Sequence, residues 1–155
     1  MSYPPPPSGH SLAAPARRLG PWERAALAFA GCALIGVLMT ARMLEPNPAG
    51  LGTHQQLGLP PCTLRQWFGI RCPSCGMTTS WSHLTHGSFS SAWRANAGGV
   101  LLALVAVWCG PWLALSGLRG KWLFGTPHEW TILAIGLTII AITLIDWTLR
   151  LSLGW

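Results

Sequence analysis

The sequence has little charge. Only 9% of its 155 residues are Asp, Glu, Lys or Arg, against roughly 25% in a typical soluble protein. A soluble fold needs a charged surface, so this shortage excludes an ordinary soluble domain and favours surroundings of lipid. Half of the residues are hydrophobic and ten are Trp, a residue that is enriched where a membrane meets water.

The sequence also lacks a basic block. The net charge is +6, but the ten Lys and Arg residues are scattered along the chain. No cluster of them carries the interleaved aromatic residues of a nucleic-acid surface, so we predict no nucleic-acid partner. The positive charge is explained better by membrane topology and by anionic headgroups. The lipid bilayer is therefore the expected partner, and a membrane-protein partner or a second copy of the chain remains open.

Long apolar segments set the predicted organisation. Residues 1–20 are rich in Pro, Gly, Ser, Ala and Arg. Such a segment cannot bury a hydrophobic core, so it predicts a disordered tail. Each of the three apolar segments that follow is about long enough to cross the roughly 30 Å hydrocarbon core of a bilayer. The predicted ranges are a tail over 1–20, a single membrane domain over 21–155, spans at about 22–44, 95–118 and 130–149, and a loop over 46–94. We therefore predict an all-α integral membrane protein with about three transmembrane helices.

Two patterns predict how the spans pack. Small residues recur every four positions in the first span, and such residues let membrane helices approach closely. The stripe consists of Ala28, Cys32, Gly36 and Thr40. Near the end of the third span, Asp146 lies four residues before Arg150, which predicts an ion pair at the membrane boundary.

The loop over 46–94 is the one segment outside the predicted spans that is large enough for a site. It contains the run Cys72-Pro73-Ser74-Cys75-Gly76, with Cys62 ten residues upstream. After this run, Met77, Trp81 and Leu84 fall at helical spacing and predict a short interfacial or re-entrant helix. Thr79, Ser82, His83 and His86 are expected on its other flanks.

A metal site is one use of these cysteines. Zinc prefers four ligands, of which Cys62, Cys72 and Cys75 supply three. His83 or His86 is the predicted fourth ligand, and zinc is the predicted cofactor. The second Cys pair of a zinc ribbon is lacking.

Two further uses remain open. In a redox site, Cys72 would attack, Cys75 would resolve and Cys62 would exchange with them. The βαβ pattern of a thioredoxin-like domain is absent, however. In a structural site, the cysteines would form one disulfide or pack a tight turn into the bundle.

The loop resembles a known family. The residues that carry the resemblance are Cys62, the run Cys72-Pro73-Ser74-Cys75-Gly76-Met77-Thr78-Thr79, Gly87, Ala92 and Asn96-Ala97-Gly98. Over residues 60–105 they are similar to the bacterial membrane family called domain of unknown function 2752. The resemblance implies a bacterial membrane protein without an established activity. Many relatives carry Arg where this chain has Thr79, so no role of that arginine is transferred.

These observations lead to one functional hypothesis and one alternative. We favour a structural or accessory membrane component whose cysteine loop is a structural or metal-bound knot, and not an enzyme. The alternative is a membrane thiol–disulfide oxidoreductase that uses Cys72 and Cys75. Arg17 and Arg18 precede the first span and Arg24 lies at its start; these three residues favour a cytoplasmic N-terminus in the bacterial inner membrane.

Overall fold

A computed structural model describes residues 18–153 of the chain. The predicted disordered tail over 1–20 lies outside the described residues except for its last three positions. Those three lead directly into the first helix. The Leu19 amide donates to the Gly120 carbonyl at 3.0 Å, which places the start of the first span beside the end of the second.

The described residues form helices and no strand. Three helices are long and apolar enough to cross a membrane: α1 (Pro21–Met43), α5 (Ala97–Arg119) and α6 (Glu129–Leu153). Four short ones fill the loop: a 3-10 helix (Thr53–Leu57), α2 (Thr63–Phe68), α3 (Met77–Thr85) and α4 (Phe89–Ala95). The predicted all-α membrane fold is therefore confirmed.

Helices α1 and α5 pack antiparallel through small residues. Gly31 lies so close to the backbone of Gly110 and Ala114 that a Cβ atom would collide with them. Gly117 makes the same close approach to the backbone of Arg24 and Ala28. Close approach of this kind lets membrane helices gain dispersion contacts along their length.

The predicted small-residue stripe of α1 is wrong beyond its first position. Cys32, Gly36 and Thr40 are exposed, and the buried face instead contains Gly31 and Ala41. A helix turns by about 100° per residue, so a spacing of four drifts by about 40° at each step. Three steps of four residues therefore turn the stripe by about 120°, away from the contact with α5. Steps that alternate between three and four residues keep the side chains on one face of the helix.

Helix α6 packs antiparallel on the first half of α5. Gly98 lies against Thr143, and the predicted ion pair forms, with Arg150 Nη2 2.9 Å from Asp146 Oδ2. None of the described residues of α6 is buried by the rest of the chain. The bare apolar surface suits a helix that faces lipid.

Helix α3 lies between α1 and α5 at the loop end of the bundle. Trp81 is buried against Ala41, Ala103 and Ala106, and Met77 and Leu84 border this cluster. The apolar face that the helical spacing predicts is thus the face that packs. The C-terminus of α1, the N-terminus of α5 and the C-terminus of α6 meet at this end, so the loop forms a folded cap on the bundle.

Candidate functional site

The structure brings three sulfur atoms together in the cap. The Sγ atoms of Cys62, Cys72 and Cys75 all lie within 4.8 Å of one another, and each side chain is partly buried. The Sγ atoms of Cys72 and Cys75 are 2.9 Å apart. All three are free thiols. The cluster thus joins the residue that precedes α2 to the turn that precedes α3.

The turn that carries Cys72 and Cys75 directs polar groups at the sulfurs. The Cys75 amide donates to the Cys72 carbonyl at 3.0 Å and closes the turn. The Cys72 amide donates to Cys75 Sγ at 3.2 Å, and Ser74 Oγ lies 3.3 Å from Cys72 Sγ. An N–H group directed at sulfur stabilises negative charge there, so the Cys72 amide offsets part of the cost of forming a thiolate at Cys75.

Gly76 is required by the way the turn meets the bundle. Its φ of +85° is the left-handed conformation that glycine adopts readily. A Cβ atom at this position would lie 2.5 Å from the Ala95 carbonyl oxygen and 2.8 Å from that of Gly50. The glycine that follows the second cysteine therefore lets the turn rest directly on the junction between α4 and α5.

Asn96 links the turn that carries Cys72 and Cys75 to the second span through hydrogen bonds. Its Nδ2 donates to the carbonyls of Pro73 at 3.0 Å and Cys75 at 3.2 Å. Its Oδ1 accepts a hydrogen bond from the Gly99 amide at 2.7 Å, which caps α5. The backbone of Asn96 is extended, with φ −167°, so α4 and α5 are separate helices.

Three buried hydroxyl groups of α3 hold the rest of the cap. The Thr53 hydroxyl donates to Thr79 at 2.8 Å, Ser80 donates to the Asn96 carbonyl at 3.0 Å, and Ser82 donates to the Leu44 carbonyl at 2.6 Å. Thr79 and Ser82 were expected on flanks of α3 other than its apolar face, and both are buried there. Each polar group is satisfied by a partner from another segment, so this flank is buried as well.

The thiols of Cys62 and Cys75 are shifted in opposite directions. The pKa of Cys62 is lowered to about 7, first by the backbone amide of Arg65 and then by the neighbouring thiol of Cys72. The pKa of Cys75 is raised to about 12, first because burial disfavours its thiolate. At neutral pH, Cys62 therefore carries much of the thiolate character of the cluster.

The predicted histidines lie elsewhere. Neither His83 nor His86 belongs to the group of sulfurs. His86 Nδ1 lies 2.8 Å from the Ser82 carbonyl, and burial lowers the pKa of His83, which lines a different cavity. The reason is geometric: α3 rises about 1.5 Å per residue, so His83 lies about 10 Å along the helix from Gly76.

A different histidine lines the same cavity as the three cysteines, although it too lies outside the group of sulfurs. His54, on the 3-10 helix, lines a cavity of about 400 Å³ together with Cys62, Cys72 and Cys75. Its Nε2 lies 3.2 Å from the Pro60 carbonyl oxygen. Sequence reasoning missed His54 because it stands in a Gly- and Pro-rich segment without a motif. Its one signal was a position eight residues before Cys62.

Comparison with known proteins identifies the segment that contains the cluster. Residues 62–110 match the family model described as a protein of unknown function, DUF2752. None of the curated proteins and none of the solved structures matches the chain. The family match begins at Cys62 and includes the turn, α3, α4 and the first part of α5. This segment of the chain is therefore similar to the DUF2752 family of proteins of unknown function.

Proposed function

We propose that this chain is a multi-pass membrane protein whose cap binds one zinc ion through Cys62, Cys72 and Cys75. The observation that supports the proposal is the approach of the three Sγ atoms to within 4.8 Å of one another. Their parent residues are ten and three positions apart in sequence and come from two segments of the loop. The proposed role is structural or accessory, with the metal as a cross-link inside the cap.

The cluster has dimensions that zinc can accept. Zinc–sulfur bonds are about 2.3 Å long, so two thiolates on a tetrahedral ion lie about 3.8 Å apart. Cys72 and Cys75, whose sulfurs are 2.9 Å apart, would separate by about 1 Å on binding. The third sulfur already lies within reach. Zinc would also take the proton from Cys75, since thiolates are the form that binds.

The fourth ligand in this proposal is His54 or a water molecule. His54 shares the cavity with the three cysteines, and structural zinc sites with three Cys and one His are common. His54→Ala should therefore weaken zinc binding, whereas His83→Ala and His86→Ala should leave the affinity unchanged. Equal affinity of His54→Ala and the natural chain would assign the fourth position to water.

Zinc analysis of detergent-purified protein tests the proposal. We expect about one zinc ion per chain, lost in Cys62→Ser and in Cys72→Ser. Cys32→Ser is the matched control, because Cys32 is a free thiol on the exposed side of α1 and should keep its zinc. A reduced protein that holds no zinc and takes up none when zinc is added would contradict the proposal.

The lowered pKa of Cys62 favours a second candidate, a thiol–disulfide oxidoreductase. Here the Cys62 thiolate would attack a disulfide of a partner protein, form a mixed disulfide and release one partner thiolate. Cys72 would then displace the remaining partner sulfur. The partner disulfide would be reduced to two thiols and a Cys62–Cys72 disulfide would form. The attacking residue would thus be Cys62 instead of Cys72, because Cys62 supplies the thiolate at neutral pH.

Thiol trapping in glutathione buffers separates the two candidates. A zinc cap predicts three thiols that are protected from alkylation until a chelator is added. An oxidoreductase predicts a metal-free pair that interconverts near the glutathione potential, at roughly −200 to −300 mV.

We further propose that the protein resides in the bacterial inner membrane with a cytoplasmic N-terminus, so that the cap lies outside. Three thiols in an oxidising compartment cannot all pair, and a bound metal would prevent two of them from doing so. A membrane-impermeant thiol reagent on intact cells, applied with a chelator, should label Cys62. Labelling that requires permeabilised cells would place the cap in the cytoplasm.

A further inference from the structure

A second cavity lies beside the cap, on its α6 side. It has a volume of about 620 Å³ and is lined by residues of α4 and α6 and by parts of the loop. None of the three clustered cysteines lines it. Four basic residues do: Arg71, His83, Arg94 and Arg150. The cavity is thus separate from the proposed zinc site, and neither proposal depends on the other.

The basic residues outnumber the acidic residues in this cavity. Among residues 18–153, Asp146 is the one carboxylate on its wall. That carboxylate is already engaged, since it pairs with Arg150 at 2.9 Å and accepts a hydrogen bond from the Ala97 amide at 3.4 Å. The positive charge of Arg71 and Arg94 therefore has no carboxylate on the cavity wall left to balance it.

The backbone of Arg71 and the side chain of Arg150 each form a hydrogen bond with another part of the chain. The Arg71 carbonyl accepts a hydrogen bond from Trp147 Nε1 at 2.6 Å, and Arg150 Nη1 donates to the Ala95 carbonyl at 2.8 Å. The buried Nε of Arg150 has no hydrogen-bond partner among the described residues. An anion in the cavity would accept charge-assisted hydrogen bonds from the guanidinium groups of the residues that line it.

The position of the cavity matches the headgroup level of a membrane. Leu149 and Leu153, in the last turns of the third span, form part of its wall, and Trp93 forms another part. Trp and Arg are typical residues of the region where the hydrocarbon core meets the headgroups. The phosphate groups of lipids lie at this depth, and Arg binds phosphate in a bidentate manner.

We propose that this cavity binds a phosphate group through Arg71, Arg94 and Arg150. The phosphate comes either from an anionic phospholipid headgroup or from free phosphate in solution. Arg150 serves both the fold and the ligand, because it also holds Asp146 and the end of α4. Arg71 and Arg94 are therefore the residues to substitute in a test.

The test uses two probes on the full-length protein in a neutral detergent. Inorganic phosphate is titrated by calorimetry, and phosphatidylglycerol, with phosphatidylcholine as reference, is added to delipidated protein and counted by native mass spectrometry. We expect Arg71→Gln and Arg94→Gln each to weaken binding about tenfold or more, as for a lost charge-assisted hydrogen bond. Arg42→Gln is the matched control, since Arg42 is an exposed arginine at the same end of the bundle and does not line the cavity.

Each outcome of the two binding measurements either supports the proposal or overturns it. Binding of phosphatidylglycerol without binding of inorganic phosphate identifies the lipid headgroup as the ligand, and the reverse identifies free phosphate. Both outcomes require the loss in the Arg71 and Arg94 variants. The proposal is overturned if neither probe binds, if phosphatidylcholine binds as tightly as phosphatidylglycerol, or if Arg42→Gln weakens binding as much as Arg71→Gln. A circular dichroism melt checks that the variants remain folded.

Discussion

At the scale of single residues, the sulfurs of Cys62 and Cys75 lie within 4.8 Å of each other. Their pKa values are nevertheless shifted in opposite directions. Cys62 is stabilised as a thiolate by backbone amides, and its pKa falls to about 7. Cys75 is partly buried, and its pKa rises to about 12, first because burial disfavours the thiolate and then through the neighbouring Cys72. The cluster thus offers one ready thiolate to an incoming metal ion, and the other sulfurs follow as their protons are displaced.

The two acidities predict distinct reaction rates with an alkylating reagent. In metal-free protein, the rate at Cys62 should rise with pH through a midpoint near 7, because the thiolate is the nucleophile. Cys75 should stay unreactive at that pH, since its pKa of about 12 keeps it protonated. Mass spectrometry of digested protein follows each site. A midpoint for Cys62 at the ordinary value of about 8.5 would contradict the stabilisation by backbone amides.

Gly76 offers a second test at the residue scale. Gly76→Ala should lower the free energy of unfolding by about 1–2 kcal/mol for its positive φ, and by about a further 1–3 kcal/mol for the collision with Ala95. Gly58→Ala is the control, because Gly58 has a φ of +75° and a Cβ atom added there would meet nothing within 4 Å. Denaturant titration in detergent compares them. Equal losses would show that the close approach at Gly76 costs nothing.

At the scale of elements, the cap is held by a short polar network on α3 and at the start of α5. Thr79, Ser80 and Ser82 bond three different segments, and Asn96 bonds the cysteine turn. Each such hydrogen bond contributes little net stability, but breaking one leaves a buried polar group without a partner. The cysteine cluster is therefore positioned by elements that carry no sulfur.

Asn96→Ala tests this network. The change removes the cap of α5, which costs about 0.5–2 kcal/mol, and leaves the carbonyls of Pro73 and Cys75 without their donor, at about 1–3 kcal/mol each. We expect a total loss of stability of about 2.5 kcal/mol or more, together with weaker zinc binding. Asn47→Ala is the control, because Asn47 Oδ1 serves an exposed turn. A loss no larger than that of Asn47→Ala would contradict the role of Asn96.

At the scale of the whole molecule, the sequence predicts the architecture better than the site. The spans follow from apolar length, and the packed face of α3 follows from the spacing of Met77, Trp81 and Leu84. The contact between α1 and α5 does not follow from the sequence, because many small residues line α1. The packing of α5 alone determines that Gly31 is the one in contact. The position of His54 could not be predicted either, because this residue comes to line the cavity of the three cysteines through tertiary folding, which local spacing does not encode.

The arrangement of the whole chain assigns different surroundings to its parts. Helix α6 leaves its apolar surface to the lipid, whereas α1 and α5 bury small residues against each other. The loop that follows α1 folds back onto the bundle as a cap with a sulfur cluster on one side and a basic cavity on the other. Both sites thus lie at the same end of the helix bundle.

X-ray absorption at the zinc edge tests the central claim, that three thiolates of the cap bind one metal ion. For the purified protein we predict about three sulfur ligands at about 2.3 Å and one nitrogen or oxygen ligand at about 2.0 Å. Cys32→Ser should give the same spectrum, and Cys62→Ser should lose sulfur ligands or lose the zinc altogether. Zinc bound only by nitrogen and oxygen, or no zinc in the reduced natural chain, would contradict the claim.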